Sequence, residues 1–86
     1  MNKDQKVNVR VKGRLHHLAY KLHALIEATR LGLKTHKLIK HQRGHIEMEF
    51  EGEKTKLWKI IKWAKTGTLL STVEEVTFTF SQIDAR

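Results

Sequence analysis

The stretch GRLHHLAYK, residues 13–21, gathers Gly13, Arg14, His16, His17 and Lys21 between two different patterns. Before it, VNVRVK alternates apolar and polar residues; after it, LAYKLHALIEATRLG repeats its apolar residues every three or four positions. The first is the period of a half-buried strand and the second that of a helix. A strand-to-helix turn leaves the first helical N–H groups without partners, and the helix dipole adds partial positive charge there. With basic side chains around it, such a turn is suited to holding an anion, phosphate above all.

The elements that would position this turn can be read along the chain. Val7, Val9 and Val11 alternate with Asn8, Arg10 and Lys12 in the first strand. Leu18, Leu22, Leu25, Ile26 and Thr29 fall on one face of the first helix, the stripe expected to be buried, and Gly32 is placed to cap it. KTHKLIKH (34–41) reads as a second strand, Gln42–Arg43–Gly44 as a turn, and Ile46, Met48 and Phe50 as the inner face of a third strand. The second helix, KTKLWKIIKWAK, has Leu57, Ile60, Ile61 and Ala64 as its inner stripe. Trp58 and Trp63 flank that stripe, and Lys56, Lys59 and Lys62 face outward. Gly67 ends it. VEEVTFTF is the last strand, with Val76, Phe78 and Phe80 inward, and SQIDAR reads as a loose tail.

The order β-α-β-β-α-β with right-handed crossovers predicts an α+β, ferredoxin-like sandwich: a four-stranded antiparallel sheet with both helices on one face. One domain is expected over residues 1–86, with its core at about 6–80. The first and third strands become central neighbours, so Arg10 and Lys12 should lie beside Glu47, Glu49 and Glu51 on the uncovered face.

The chain holds 17 Lys and Arg against 9 Asp and Glu, a formal charge of +8, which favours anionic partners. With no cysteine it has no disulfide, thiolate metal site or thiol nucleophile. No window approaches ~18 continuous apolar residues, and the start, MNKDQK, lacks an apolar signal core. A soluble, cytoplasmic monomer with no membrane partner is the expectation.

Residues 11–21, VKGRLHHLAYK, resemble the signature of acylphosphatases, V-x-G-x-V-Q-G-V-x-F-R. LGLK at 31–34, GHIEMEFEG at 44–52 and TGTLLSTVEEV at 66–76 are similar to further segments of that family. The resemblance covers nearly the whole chain and implies the same β-α-β-β-α-β sandwich. It also implies hydrolysis of carboxyl–phosphate anhydrides with no metal or cofactor. In such a site the loop backbone and a closing arginine hold the phosphoryl group, and an asparagine on the second strand positions the attacking water. Carried onto this sequence, the phosphate-binding residues are Arg14, Leu15, His16, His17, Leu18, Ala19, Tyr20 and Lys21.

Departures from the pattern fall at the chemistry. Lys21 stands where the arginine is expected; it keeps the charge and loses the planar two-pronged fork. His17 and Ala19 put side chains where the loop is expected to need bare backbone. The asparagine is missing. Counting back from Gly44 puts Lys40 in its place, and counting forward from Leu31 puts Ile39 there, because the chain carries about one extra residue. The residues carried to catalytic positions are therefore Lys21 and Lys40. Three functions follow: an acylphosphatase-like domain with an altered, inefficient site that binds phosphate or a phosphorylated ligand; an active acylphosphatase in which Lys21 serves for arginine; or a basic nucleic-acid or protein interaction module.

Other constellations are weaker. His16–His17, with His36, His41 and His45, invites a metal, but no carboxylate stands at ligand spacing near the pair and no HExxH occurs, so no metal site is expected. Ser71 and Ser81 lack a nucleophile context. Lys54, Lys56, Lys59, Lys62 and Lys65 interleave with Trp58 and Trp63 in a way that suits nucleic acid, yet the same pattern serves a solvated helix that seals the core edge. Nucleic acid is not favoured as the partner.

Overall fold

The computed structural model describes residues 4–14, 17–41, 44–67 and 72–82. Its elements run β1 (Gln5–Arg14), α1 (His17–Arg30), β2 (Lys34–Lys40), β3 (Ile46–Gly52), α2 (Lys54–Thr66) and β4 (Thr72–Gln82). The strands form one antiparallel sheet in the order β2-β3-β1-β4. This is the ferredoxin-like architecture that the patterns predict. β4 continues to Gln82, so Ser81 and Gln82 belong to the sheet rather than to a tail. Leu15, His16, Gln42, Arg43, residues 68–71 and residues 83–86, including Ser71, lie outside the described residues.

Alternation in the strands decides the two faces. Val7, Val9 and Val11 pair in register with Phe50, Met48 and Ile46, and all six are fully buried under the helices. α2 adds Leu57, Ile60, Ile61 and Ala64 to that core, as its periodicity predicts. Val76, Phe78 and Phe80 of the edge strand β4 are half-buried against it.

α1 presents the other side from the one its leucines suggest. Its buried residues are Tyr20, Ala24 and Ala28, whereas Leu18 is 75%, Leu22 53%, Leu25 42% and Ile26 56% exposed. The expectation that Leu18, Leu22, Leu25, Ile26 and Thr29 are buried is therefore wrong. Periodicity shows which residues share a face, not which face turns inward. Here the inner side is lined by Tyr20 and two small alanines that join the core. The Tyr20 hydroxyl also finds a partner only on the inner side, donating to the carbonyl oxygen of Ala64 at 2.9 Å.

The end of α1 follows the expected cap. Gly32 takes φ +76°, its N–H reaches the Thr29 carbonyl at 3.0 Å, and the Leu33 N–H reaches that of Ala28 at 2.8 Å. This is the double bond of a Schellman cap. It sends the buried Leu33 under the sheet edge and starts β2.

Candidate functional site

β1 ends at a kink. Its register with β4 shifts between Lys12 and Gly13, and Gly13 adopts φ +151°. A Cβ at that position would lie 2.1 Å from the Thr72 carbonyl oxygen and 2.9 Å from the Glu74 nitrogen. Only glycine lets β1 press this tightly on β4, and the kink aims the chain from the sheet into α1.

The expected phosphate residues divide among three environments. Arg14 is exposed at the end of β1. Leu15 and His16 lie outside the described residues. From His17 onward the chain is already helical: His17, Leu18, Ala19, Tyr20 and Lys21 are the first residues of α1, not a loop. Among the described residues no non-glycine residue has positive φ, so His17 and Ala19 occupy positions that do not demand glycine's conformation. What residues 17–20 can offer an anion is the N–H groups of a helix start, which have no partner within the helix itself, with no acidic side chain in the first turn. The side chain of Tyr20 is committed to the core, so it offers backbone only. Burial pushes its phenol well above the usual range. Lys21 is half-buried on the flank of α1.

The register of β2 places Ile39 and Lys40 on different faces of the sheet. Its register with β3 shifts between Thr35 and Lys37, so His36 is an inserted residue at a β-bulge. Downstream of the bulge Lys40 pairs with Ile46, which pairs in turn with Val11. This row belongs to the helix-bearing face and lies two residues from the Gly13 kink. Ile39 pairs with Glu47 instead and belongs to the opposite, open face.

That open face holds a polar network centred on Glu47, which sequence reasoning placed on this face but did not recognise as a hub. Glu47 is 7% exposed. It accepts a hydrogen bond from Asn8 Nδ2 at 2.8 Å and lies 2.7 Å from His41 Nε2. Lys37 at 3.6 Å and Arg10 at 3.8 Å complete the shell. The Asn8 bond first, then the His41 bond, hold its carboxyl at about 2. The His41 and His45 rings stack at 4.4 Å, and His36 meets Glu51 at 2.6 Å. Two shallow depressions flank Arg10: one of about 410 Å³ lined by Asn8, Thr77 and Thr79, the other of about 170 Å³ lined by Lys12, His45 and Glu75. The strand pairing Arg10↔Glu47 was the available signal. What the sequence did not show is that His41, whose N–H continues the β2–β3 ladder on the His45 carbonyl, falls beside the carboxylate.

The acylphosphatase family model matches residues 7–86. The chain belongs to the acylphosphatase family. No curated protein matches it closely in sequence. Its fold is shared with the crystal structure of the acylphosphatase from Bacillus subtilis, at TM-score 0.83 and 22% identity over 90% of this chain and 84% of that one. It is shared with an acylphosphatase from Coxiella burnetii at TM-score 0.86 and 17% identity, covering 98% of this chain and 87% of that one. Full-length HypF, in its phosphate- and nucleotide-bound form, contains a similar unit at TM-score 0.84 and 18% identity. There 96% of this chain matches 11% of the larger one. This acylphosphatase-family chain has Gly13 at the kink of β1 and Lys21 near the start of α1.

Proposed function

We propose that this chain binds phosphate or a small phosphorylated ligand at the start of α1 and hydrolyses acyl phosphates inefficiently. The observation that carries the reading is the kink at Gly13, which delivers Arg14 and the acid-free first turn of α1 to one end of the sheet, in a chain that belongs to the acylphosphatase family. Backbone donors at a helix start bind an anion without help from a particular side chain. Arg14, Lys21 and Lys40 supply positive charge around it.

Catalysis asks for more than binding. Phosphoryl transfer is accelerated by positioning the nucleophile and stabilising charge on the equatorial oxygens. Lys21 offers a point charge where a guanidinium would fix two oxygens at once. Lys40, which the β2 bulge favours over Ile39 for the asparagine position, only donates hydrogen bonds, so it cannot accept one from the attacking water as an amide oxygen can. The result is a pocket that keeps its electrostatics and loses its geometry.

The test is an amide NMR titration with inorganic phosphate, run beside a benzoyl phosphate hydrolysis assay. Amides of residues 14 and 17–21 are expected to shift at millimolar phosphate, and Lys21→Ala to weaken the effect. An unmoved spectrum overturns the reading. Turnover of about 10² s⁻¹ or more, well above the median enzyme, would make the site a competent acylphosphatase with Lys21 in the arginine's role.

A further inference from the structure

We infer that the outer surface of the helical layer is a docking face for an anionic lipid surface. α1 turns a continuous apolar stripe to solvent: Leu18, Leu22, Leu25 and Ile26 are all at least 42% exposed. The core does not use this stripe, because Tyr20, Ala24 and Ala28 occupy the inner side. Exposed apolar residues gathered on one helix face mark an interaction site, unlike single scattered ones.

The neighbouring helix names the partner's charge. α2 packs beside α1 through Tyr20, whose ring lies 5.1 Å from that of Trp63, and both helices cover the same side of the sheet. The exposed side of α2 carries Lys59, Lys62 and Lys65, and Trp58, 46% exposed, sits at its edge with its ring against Phe78 and Phe80 of β4. No acidic residue occurs anywhere in α2, and the one acid of α1, Glu27, is ion-paired to Arg30. Glu47 and Glu51 of β3, by contrast, lie on the opposite face of the molecule, paired with Arg10, Lys37 and the histidines. The chain is thus polarised: one surface holds leucines inside a basic frame, and Glu47 and Glu51 of the sheet are turned away from it.

An anionic bilayer matches both halves of that surface. Leucine and isoleucine enter the boundary between headgroups and acyl chains, and tryptophan sits at headgroup depth. Lysine stems lie along the apolar zone with their ammonium groups on the lipid phosphates. A span is not involved: no helix among the described residues is long and apolar enough to cross a membrane, and α1 would lie in the plane of the interface. A second copy fits less well, since each copy carries a formal charge of +8 and the rim of the stripe is cationic. Nucleic acid would use the lysines and leave the aliphatic stripe uncovered.

The experiment is co-sedimentation with phosphatidylcholine vesicles that contain or lack phosphatidylglycerol, with Trp58 fluorescence read in parallel. Binding and a blue shift are expected only with phosphatidylglycerol present. Leu22→Gln/Leu25→Gln/Ile26→Gln, which alters exposed residues only, should weaken binding at least about tenfold. Lys59→Gln/Lys62→Gln/Lys65→Gln should weaken it about fivefold per lysine. The phosphate titration should be unchanged in both variants. Failure to bind anionic vesicles overturns the inference, as does binding that ignores the aliphatic triple variant. A stable wild-type dimer in sedimentation velocity, dispersed by that same variant, would assign the stripe to a second copy and also overturn it.

Discussion

The hydroxyl of Tyr20 donates to the carbonyl oxygen of Ala64 at 2.9 Å, and its ring lies 5.1 Å from that of Trp63. Ala64 is in the last turn of α2, where carbonyls lose their helical partners. A side chain from α1 therefore completes the end of α2. It also sets the rotation of α1, and with it the direction of the helix start where phosphate is proposed to bind. Removing the hydroxyl alone, in Tyr20→Phe, is expected to cost about 0.5–1.5 kcal/mol. Tyr20→Ala, which also empties the space between the helices, should cost about 3–5 kcal/mol. Urea denaturation of both variants measures the two contributions separately.

The rotation of α1 has a direct test. If Ala24 is in the core and Leu25 is on the surface, the two neighbours must respond in opposite ways. Ala24→Leu should destabilise by about 1–3 kcal/mol through overpacking. Leu25→Ala should cost under about 1 kcal/mol, well short of the value for a buried leucine. A large loss for Leu25→Ala and a small one for Ala24→Leu would restore the inward leucine stripe.

Gly13 is constrained by both its dihedral angle and its surroundings. With φ +151° and a backbone oxygen 2.1 Å from the place of a Cβ, Gly13→Ala cannot be accommodated by a side-chain shift. We expect a loss of at least about 2 kcal/mol and altered amide shifts at the start of α1. Gly44→Ala is the control: φ is +92° there, yet nothing lies within 4 Å of the added carbon, so only the conformational strain remains.

Glu47 should leave its mark on the acid limb of stability. Its carboxyl is lowered from 4.5 to about 2, by Asn8 first and His41 next. A carboxylate depressed in the fold stabilises above its unfolded value, and that stability is lost as pH falls from about 4.5 towards 2. His45 acts in the same direction at milder acidity: partial burial, then His41 and Arg10, disfavour its charged form. Unfolding free energy measured from neutral pH downward should fall through both ranges. Glu47→Gln should flatten the lower range and cost about 2–4 kcal/mol at neutral pH, since Asn8 and His41 lose an ionised partner. An unchanged acid limb in that variant would remove Glu47 from the account.

The two substitutions at the proposed catalytic positions can be reversed. Lys21→Arg with Lys40→Asn supplies the missing fork and the missing amide, and benzoyl phosphate hydrolysis should rise by about tenfold or more, each change acting on transition-state stabilisation. No gain would show that the early start of α1 at His17, rather than these two side chains, limits the reaction.

Much of this molecule is legible in its sequence because strand alternation and turn chemistry are local. Val7, Val9 and Val11 had to share a face once they lay in a strand, and Ile46, Met48 and Phe50 had to do the same. Gly32 had to end a helix that could not otherwise pair its last carbonyls. The signature around Gly13 carried the family. Three things depended on distant partners. The burial of Tyr20, Ala24 and Ala28 in place of the leucines rested on the packing of α1 into the core and on a carbonyl 44 residues away. The placement of Lys40 on the helix-bearing face and of Ile39 on the open face rested on where β2 absorbs its extra residue, at His36. The ionisation of Glu47 rested on Asn8, 39 residues earlier, and on His41, which the pairing with His45 sets beside it. Local sequence determines which groups lie side by side along an element. Only tertiary packing decides which side is desolvated, and desolvation separates a core stripe from the exposed leucine face that this chain turns outward.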